Sequence, residues 1–163
     1  MVVVVVAVGD RCSSSAHNTP VAPVGARLSV FVPDSSDHLF YRFDSGLTTP
    51  ALFTVSHQAE WEAVWAQVAS PYRPPPALPD VNFTAKRVLV AASGAHGTCG
   101  FVILIDSVVS YEAAEVAYVT MLEPGNQCGV TLAESEPVDI VRVPFVPSQP
   151  FTFQTRTVAP DCF

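Results

Sequence analysis

The sequence predicts a mostly β (α+β) fold, an antiparallel sheet or sandwich of about seven to nine short strands with one amphipathic helix packed on it. Three observations lead there. The chain is 49% hydrophobic but only 14% charged, and Val, Thr, Phe and Tyr recur along it; β-branched and aromatic side chains suit a pleated, half-buried surface. Fifteen prolines interrupt it, and proline breaks helix interiors and central strands alike, which favours short elements joined by turns. Only one stretch, residues 57–68, repeats its apolar residues at helical spacing.

The elements follow in order. Met1–Val8 is almost purely apolar and ends at Gly9-Asp10. It reads as a first strand, with a truncated signal sequence as the alternative; it is too short to span a bilayer and has no basic start. Residues 11–26, rich in Ser, Pro and Gly, read as a loop or linker. Strands are expected at Arg27–Val32, around Leu39–Phe43 and at Ala51–Val55. In the second of these, Leu39, Tyr41 and Phe43 form the more apolar face.

In the helix, Trp61, Val64, Trp65 and Val68 fall at i, i+3, i+4 and i+7, so they share a face. Ser56 is the expected cap, and Pro71 the stop. A helix this short is marginal alone, so its indoles must dock on a sheet. Residues 71–80 form a polyproline-like spacer. Arg87–Ala92 and Phe101–Val109 read as two strong strands paired as a hairpin across a glycine-rich turn. Glu115–Leu122 alternates, with Glu115, Ala117, Val119 and Met121 on one face and Val116, Tyr118, Thr120 and Leu122 on the other. Val138–Val143 and Phe151–Val158 complete the set. With 163 residues and no internal repeat, residues 1–163 are expected to be one domain, long enough to bury a core without a metal or disulfide.

Charge excludes some functions. Eight basic residues against fifteen acidic ones leave a formal charge of −7, whereas nucleic acid and anionic membranes both demand a basic footprint. The cysteines Cys12, Cys99, Cys128 and Cys162 include no C-x-x-C pair, so a zinc knuckle or thioredoxin-like site lacks support. Three disulfide pairings are open. The preferred one joins Cys12 to Cys162 and Cys99 to Cys128, with free buried thiols as the alternative. Oxidised cysteines would place the chain outside the cytosol.

The segment Ser93–Gly100 invites chemistry most. Gly94, Gly97 and Gly100 give backbone freedom, yet no lysine or phosphate-binding pattern is present. His96 and Cys99 lie within loop reach as base and nucleophile, but no third orienting residue accompanies them. The histidines His17, His38, His57 and His96 have no metal-ligand spacing, no carboxylate pair has a glycosidase pattern, and Asn82-Phe83-Thr84 is a glycosylation sequon. No catalytic residue, cofactor or metal is assigned. Trp61, Trp65, the three glycines and the four cysteines are read as structural.

Residues 53–144 carry a resemblance. The helix with Glu60-Trp61 and Trp65, the Pro79-Asp80-Val81-Asn82-Phe83 element, the Arg87–Ala91 strand, the run from Gly94 to Phe101, Pro124-Gly125 with Cys128, and Pro137–Val141 follow one another. In this order they resemble the C-terminal domain of the PrcB family of protease complex subunits, which are secreted or lipid-anchored bacterial proteins. Asn82, Cys99 and Phe101 depart from the family's acid, glycine and tyrosine. The resemblance implies a role in assembling or stabilising an extracellular protease complex without proteolysis, and it is compatible with a Cys99–Cys128 clip.

The expected function is therefore that of a non-catalytic, extracytoplasmic protein-binding domain, its signal segment absent or truncated. Its partner is another protein, with an extracellular protease as the candidate. It uses no nucleic acid and no membrane-spanning segment. An exposed patch near Tyr72, Phe101 or Tyr111 would mark the surface. The alternatives are a small-ligand-binding or structural envelope domain, and a cysteine enzyme using Cys99 and His96.

Overall fold

The computed structural model of the protein describes residues 25–146 and 149–160. The expected first strand at Met1–Val8, nearly all of the 11–26 linker, His17, Cys12 and Cys162 lie outside them. The described elements are β1 (Arg27–Phe31), β2 (His38–Arg42), β3 (Ala51–Val55), α1 (Gln58–Val68), β4 (Lys86–Ala92), β5 (Val102–Tyr111), β6 (Glu115–Leu122), β7 (Val138–Pro144) and β8 (Phe151–Val158). They form two four-stranded sheets, ordered β1-β5-β6-β8 and β2-β7-β4-β3, with the single short helix packed on the second.

Two apolar layers follow from period-two alternation in the shared inner sheet. On β4, Val88, Val90 and Ala92 face the helix, where they meet Trp61, Trp65, Val68, Val138 and Ile140. Leu89 and Ala91 face the other way, into a layer with Ile103, Ile105, Val108, Ala117, Val119, Val141 and Val143. The β2-β7-β4-β3 sheet is thus covered on both sides. That is why β4 reads as a continuous apolar run, and Val88 through Ala91 are fully buried.

The helix begins one residue later than the cap expected at Ser56. His57 is the N-cap, its Nδ1 accepting from the Glu60 amide at 3.3 Å, while the Glu60 carboxylate accepts from the Ser56 amide at 3.1 Å. A histidine ring nitrogen thus takes the place of the hydroxyl. The proline-rich segment is more than a spacer. Trp61 Nε1 donates to the Pro79 carbonyl at 2.9 Å, and Trp65 Nε1 to that of Pro76 at 3.0 Å. Buried indole N–H groups need acceptors, and a polyproline stretch offers carbonyls without spending amide donors of its own.

Two pairing expectations are corrected. β4 and β5 do not form a hairpin: β4 pairs with β3 and β7, whereas β5 pairs with β1 and β6 in the other sheet. The 93–101 connection crosses between layers, and two adjacent apolar runs look alike whether they share a sheet or face each other. β6 and β8 pair in parallel, from Glu115 opposite Phe151 to Leu122 opposite Val158. The intervening β7, in the opposite sheet, supplies the crossover that parallel strands need. On β2 the buried residue is Phe40, while Phe43 is 47% exposed. A register shift falls between His38 and Phe40, and the helix layer takes Phe40 together with Leu39, so neither alternating face of β2 packs there alone.

The disulfide expectation is also corrected. Cys99 carries a free thiol, so it forms no bridge to Cys128, and no disulfide joins two of the described residues. The Cys99 sulfur lies 3.7 Å from the Ala133 carbonyl oxygen, whereas the Cys128 sulfur lies 3.6 Å from that of Pro160. The two loops hold their sulfurs against different segments. No helix among the described residues is long and apolar enough to cross a membrane.

Candidate functional site

The outer face of the β1-β5-β6-β8 sheet gathers the functional groups that neither core layer uses. Its composition follows from register. Ala117, Val119, Phe151 and Phe153 point into the inter-sheet layer. Val116, Tyr118, Thr120, Thr152, Gln154 and Arg156 therefore point away from it. On β5, a bulge between Ile105 and Ser107 adds Asp106 as an extra residue opposite β6. Such a bulge re-aims a side chain.

At the centre of this face, Val109 pairs with Val116. Both are buried, although neither belongs to a core layer. Tyr111 and Tyr118 flank the pair on opposite sides along the strands, and their hydroxyls meet at 2.9 Å. The two phenols thus span the valine pair. Their mutual hydrogen bond, with burial second, raises the Tyr118 pKa above the ordinary phenol value.

Beyond Tyr118 lies a groove of about 350 Å³, lined by Asp106, Ser107, Tyr118, Gln154 and Arg156 with Val119 and Thr155 at its floor. A short network shapes one wall. Arg156 Nε donates to Thr120 Oγ1 at 2.7 Å, the Thr120 hydroxyl donates to Asp106 Oδ2, and Arg156 Nη2 lies 3.8 Å from that same oxygen. Asp106 Oδ1, the Ser107 hydroxyl and Arg156 Nη1 make no hydrogen bond among the described residues.

At the far side of the sheet, β1 is an edge strand among the described residues. Val30 pairs with Val109 on the outer face. Leu28, Val30 and Val32 are 61, 39 and 65% exposed.

Of the three positions near which a patch was expected, Tyr111 is the one beside these exposed residues, since it pairs with Arg27 of β1; Tyr72 and Phe101 are not. Tyr72 packs against the helix layer, and its hydroxyl bonds to Asp44, with burial and that carboxylate together raising its pKa. Phe101 is half-buried, its ring stacked on His96 at 3.7 Å and 10°. The loop does not assemble the base and nucleophile weighed for it either. His96 Nε2 lies 3.1 Å from Ser93 Oγ, and Cys99 has the Ala133 contact already described. The glycines divide. Gly94 and Gly100 have φ of +81° and +102°, and a Cβ on Gly94 would fall 2.6 Å from Pro50 Cδ; at Gly97 it would meet open space.

A second polar centre lies between the sheets. Asp139 is fully buried; its Oδ2 accepts the Ile105 amide at 2.8 Å, and its Oδ1 lies 2.7 Å from His38 Nδ1. Burial raises its pKa, while the Ile105 amide and His38 oppose that shift. The geometry explains the bulge: an amide next to the extra residue loses its ladder partner and takes a carboxylate from the facing sheet. Among the described residues no three His, Cys, Asp or Glu side chains converge as a metal site.

Alternation placed Val116, Tyr118, Thr120 and Leu122 on one face of β6 but did not join them to Asp106, Gln154 and Arg156. The missing signals were the bulge and the parallel register of β8, neither of which has a mark in the residues. No protein-family model, curated protein or solved structure matches the chain.

Proposed function

We propose that this chain is a non-catalytic protein-binding domain of the cell exterior, and that its partner adds an extended segment along β1. The observation that carries this reading is an apolar edge left bare: Leu28 and Val30 are exposed on a strand with no outer neighbour among the described residues, and Val32 is exposed just beyond its end. Natural edge strands are usually blunted by charge, proline or cover, because an open ladder recruits other chains. β1 has Arg27 at its start and Pro33 after its end, with nothing charged between them. The opposite edge of the same sheet, β8, instead turns Thr152, Gln154 and Arg156 outward. Main-chain bonds along β1 would supply affinity, and alternate side chains specificity.

Placement outside the cytosol rests on the motif resemblance and not on a Cys99–Cys128 bridge. The same resemblance makes a secreted protease the first partner to test. The general test needs no partner in hand: a displayed library of short peptides is selected on the immobilised chain. Peptides of alternating apolar pattern should be enriched, should protect β1 amides from hydrogen exchange, and should bind the Val30→Lys variant about tenfold or more weakly. Enriched peptides that bind Val30→Lys as well as the parent chain, or no enrichment, would defeat the reading.

A further inference from the structure

The groove on β5, β6 and β8 is separate from the β1 edge and has its own chemistry. We propose that it binds a neutral polyhydroxylated ligand, a saccharide unit of a glycan, through Asp106, Ser107, Gln154 and Arg156, with the Tyr118 ring as its apolar wall.

Four features point to this class. The first is charge. Asp106 and Arg156 cancel within the groove, separated by 3.8 Å, so neither a strong anion nor a strong cation finds a net field there. The second is the pattern of free hydrogen-bonding capacity. Asp106 Oδ1 can only accept, Arg156 Nη1 can only donate, and the Ser107 hydroxyl can do either. All three lack partners among the described residues. A sugar hydroxyl both donates and accepts, so adjacent hydroxyls can satisfy a carboxylate and a guanidinium together. An aliphatic or purely anionic ligand would leave one of them unpaired, which is costly.

The third feature is preorganisation. The Thr120 hydroxyl ties the Arg156 guanidinium to the Asp106 carboxylate, and the bulge holds Asp106 on the sheet. Less side-chain freedom is then lost on binding. The fourth is shape. About 350 Å³ lies at the small end of ligand pockets, which run from about 300 to 1,000 Å³. The tyrosine pair adds a rigid ring whose hydroxyl is held by Tyr111.

The test is a printed array of neutral oligosaccharides probed with the full chain, followed by calorimetry with the best-bound oligosaccharide on parent and variants. At least one neutral oligosaccharide should bind, with Asp106→Ala and Arg156→Ala each weakening it about tenfold or more, the size of one lost charge-assisted hydrogen bond. Arg156 is largely exposed, so its variant tests the site without touching the core. Val30→Lys should leave this binding unchanged, which separates the result from the fate of the β1 reading. No binding across the array, equal binding by Arg156→Ala, or capture in the groove of charged peptides alone would overturn the proposal.

Discussion

Arg87 shows how much a single side chain can carry when it is buried. Its Nη2 lies 2.6 Å from Glu115 Oε2, with both side chains almost fully enclosed, and it donates to the Val146 carbonyl at 3.1 Å. Its guanidinium carbon sits 4.9 Å from the Phe145 ring centroid and 4.7 Å from that of Phe151. Burial lowers its pKa and Glu115 opposes that, yet a guanidinium stays charged in proteins. Arg87→Met would leave a buried carboxylate with only the Ser110 hydroxyl at 3.3 Å. The expected loss in urea unfolding is about 3–5 kcal/mol. Arg87→Met with Glu115→Leu should recover most of it, because breaking a buried pair costs far more than replacing it with apolar groups. A double variant as unstable as the single one would show that the pair itself, and not the stranded charge, supplies the stability.

At the scale of elements, α1 and the proline-rich strap stabilise each other. Trp65 meets Phe40 edge-on at 5.3 Å, and Phe40 meets Tyr72 at 5.7 Å, so helix, strap and β2 share one aromatic cluster. Trp61→Phe keeps most of the buried ring but removes the donor to Pro79; a cost of about 1–3 kcal/mol is expected for the acceptor left unpaired. Trp61→Ala should cost about 3–5 kcal/mol through the cavity it opens. Equilibrium denaturation of the two variants measures both, and equal losses would mean that the strap gains nothing from the indole N–H. The residues at 57–68 show this helix by periodicity, and the two tryptophans mark its buried face. Their acceptors could not be read, since a proline carbonyl looks the same whether it faces water or an indole.

Across the whole molecule, two buried polar anchors tie the sheets together. The inward residues of β4 run Arg87, Leu89, Ala91, and opposite them on β7 run Val143, Val141, Asp139. Arg87 thus reaches Glu115 at one end of the apolar layer, and Asp139 reaches the Ile105 amide at the other. Asp139 gives the fold a pH dependence of known sign. Burial raises its folded pKa above the unfolded value, so between the two values the folded chain holds the extra proton. Stability then falls as pH rises from the ordinary carboxylate range through the raised value. Asp139→Asn keeps an acceptor for Ile105 but cannot ionise. Its unfolding free energy should therefore be flatter over that window than the parent's, as denaturant melts at a series of pH values would show. Parallel profiles would assign the pH dependence to other groups.

The local elements were legible in the residues alone. β3 and β8 fall within the bounds their alternation and flanking prolines predict, as does the helix to within a residue, because propensity, periodicity and breakers are all short-range effects. The division of β6 into a Glu115, Ala117, Val119 and Met121 face and a Val116, Tyr118, Thr120 and Leu122 face was equally readable, since a period of two needs no knowledge of the neighbour; which face turns inward was decided by packing. Tertiary structure alone decided which sheet each strand joined, that β8 runs parallel to β6, and that Cys99 stays a thiol. It also decided that Asp106, Tyr118 and Arg156 line one groove. These outcomes depend on contacts between residues far apart in the chain, where many pairings satisfy the same local pattern and packing selects one.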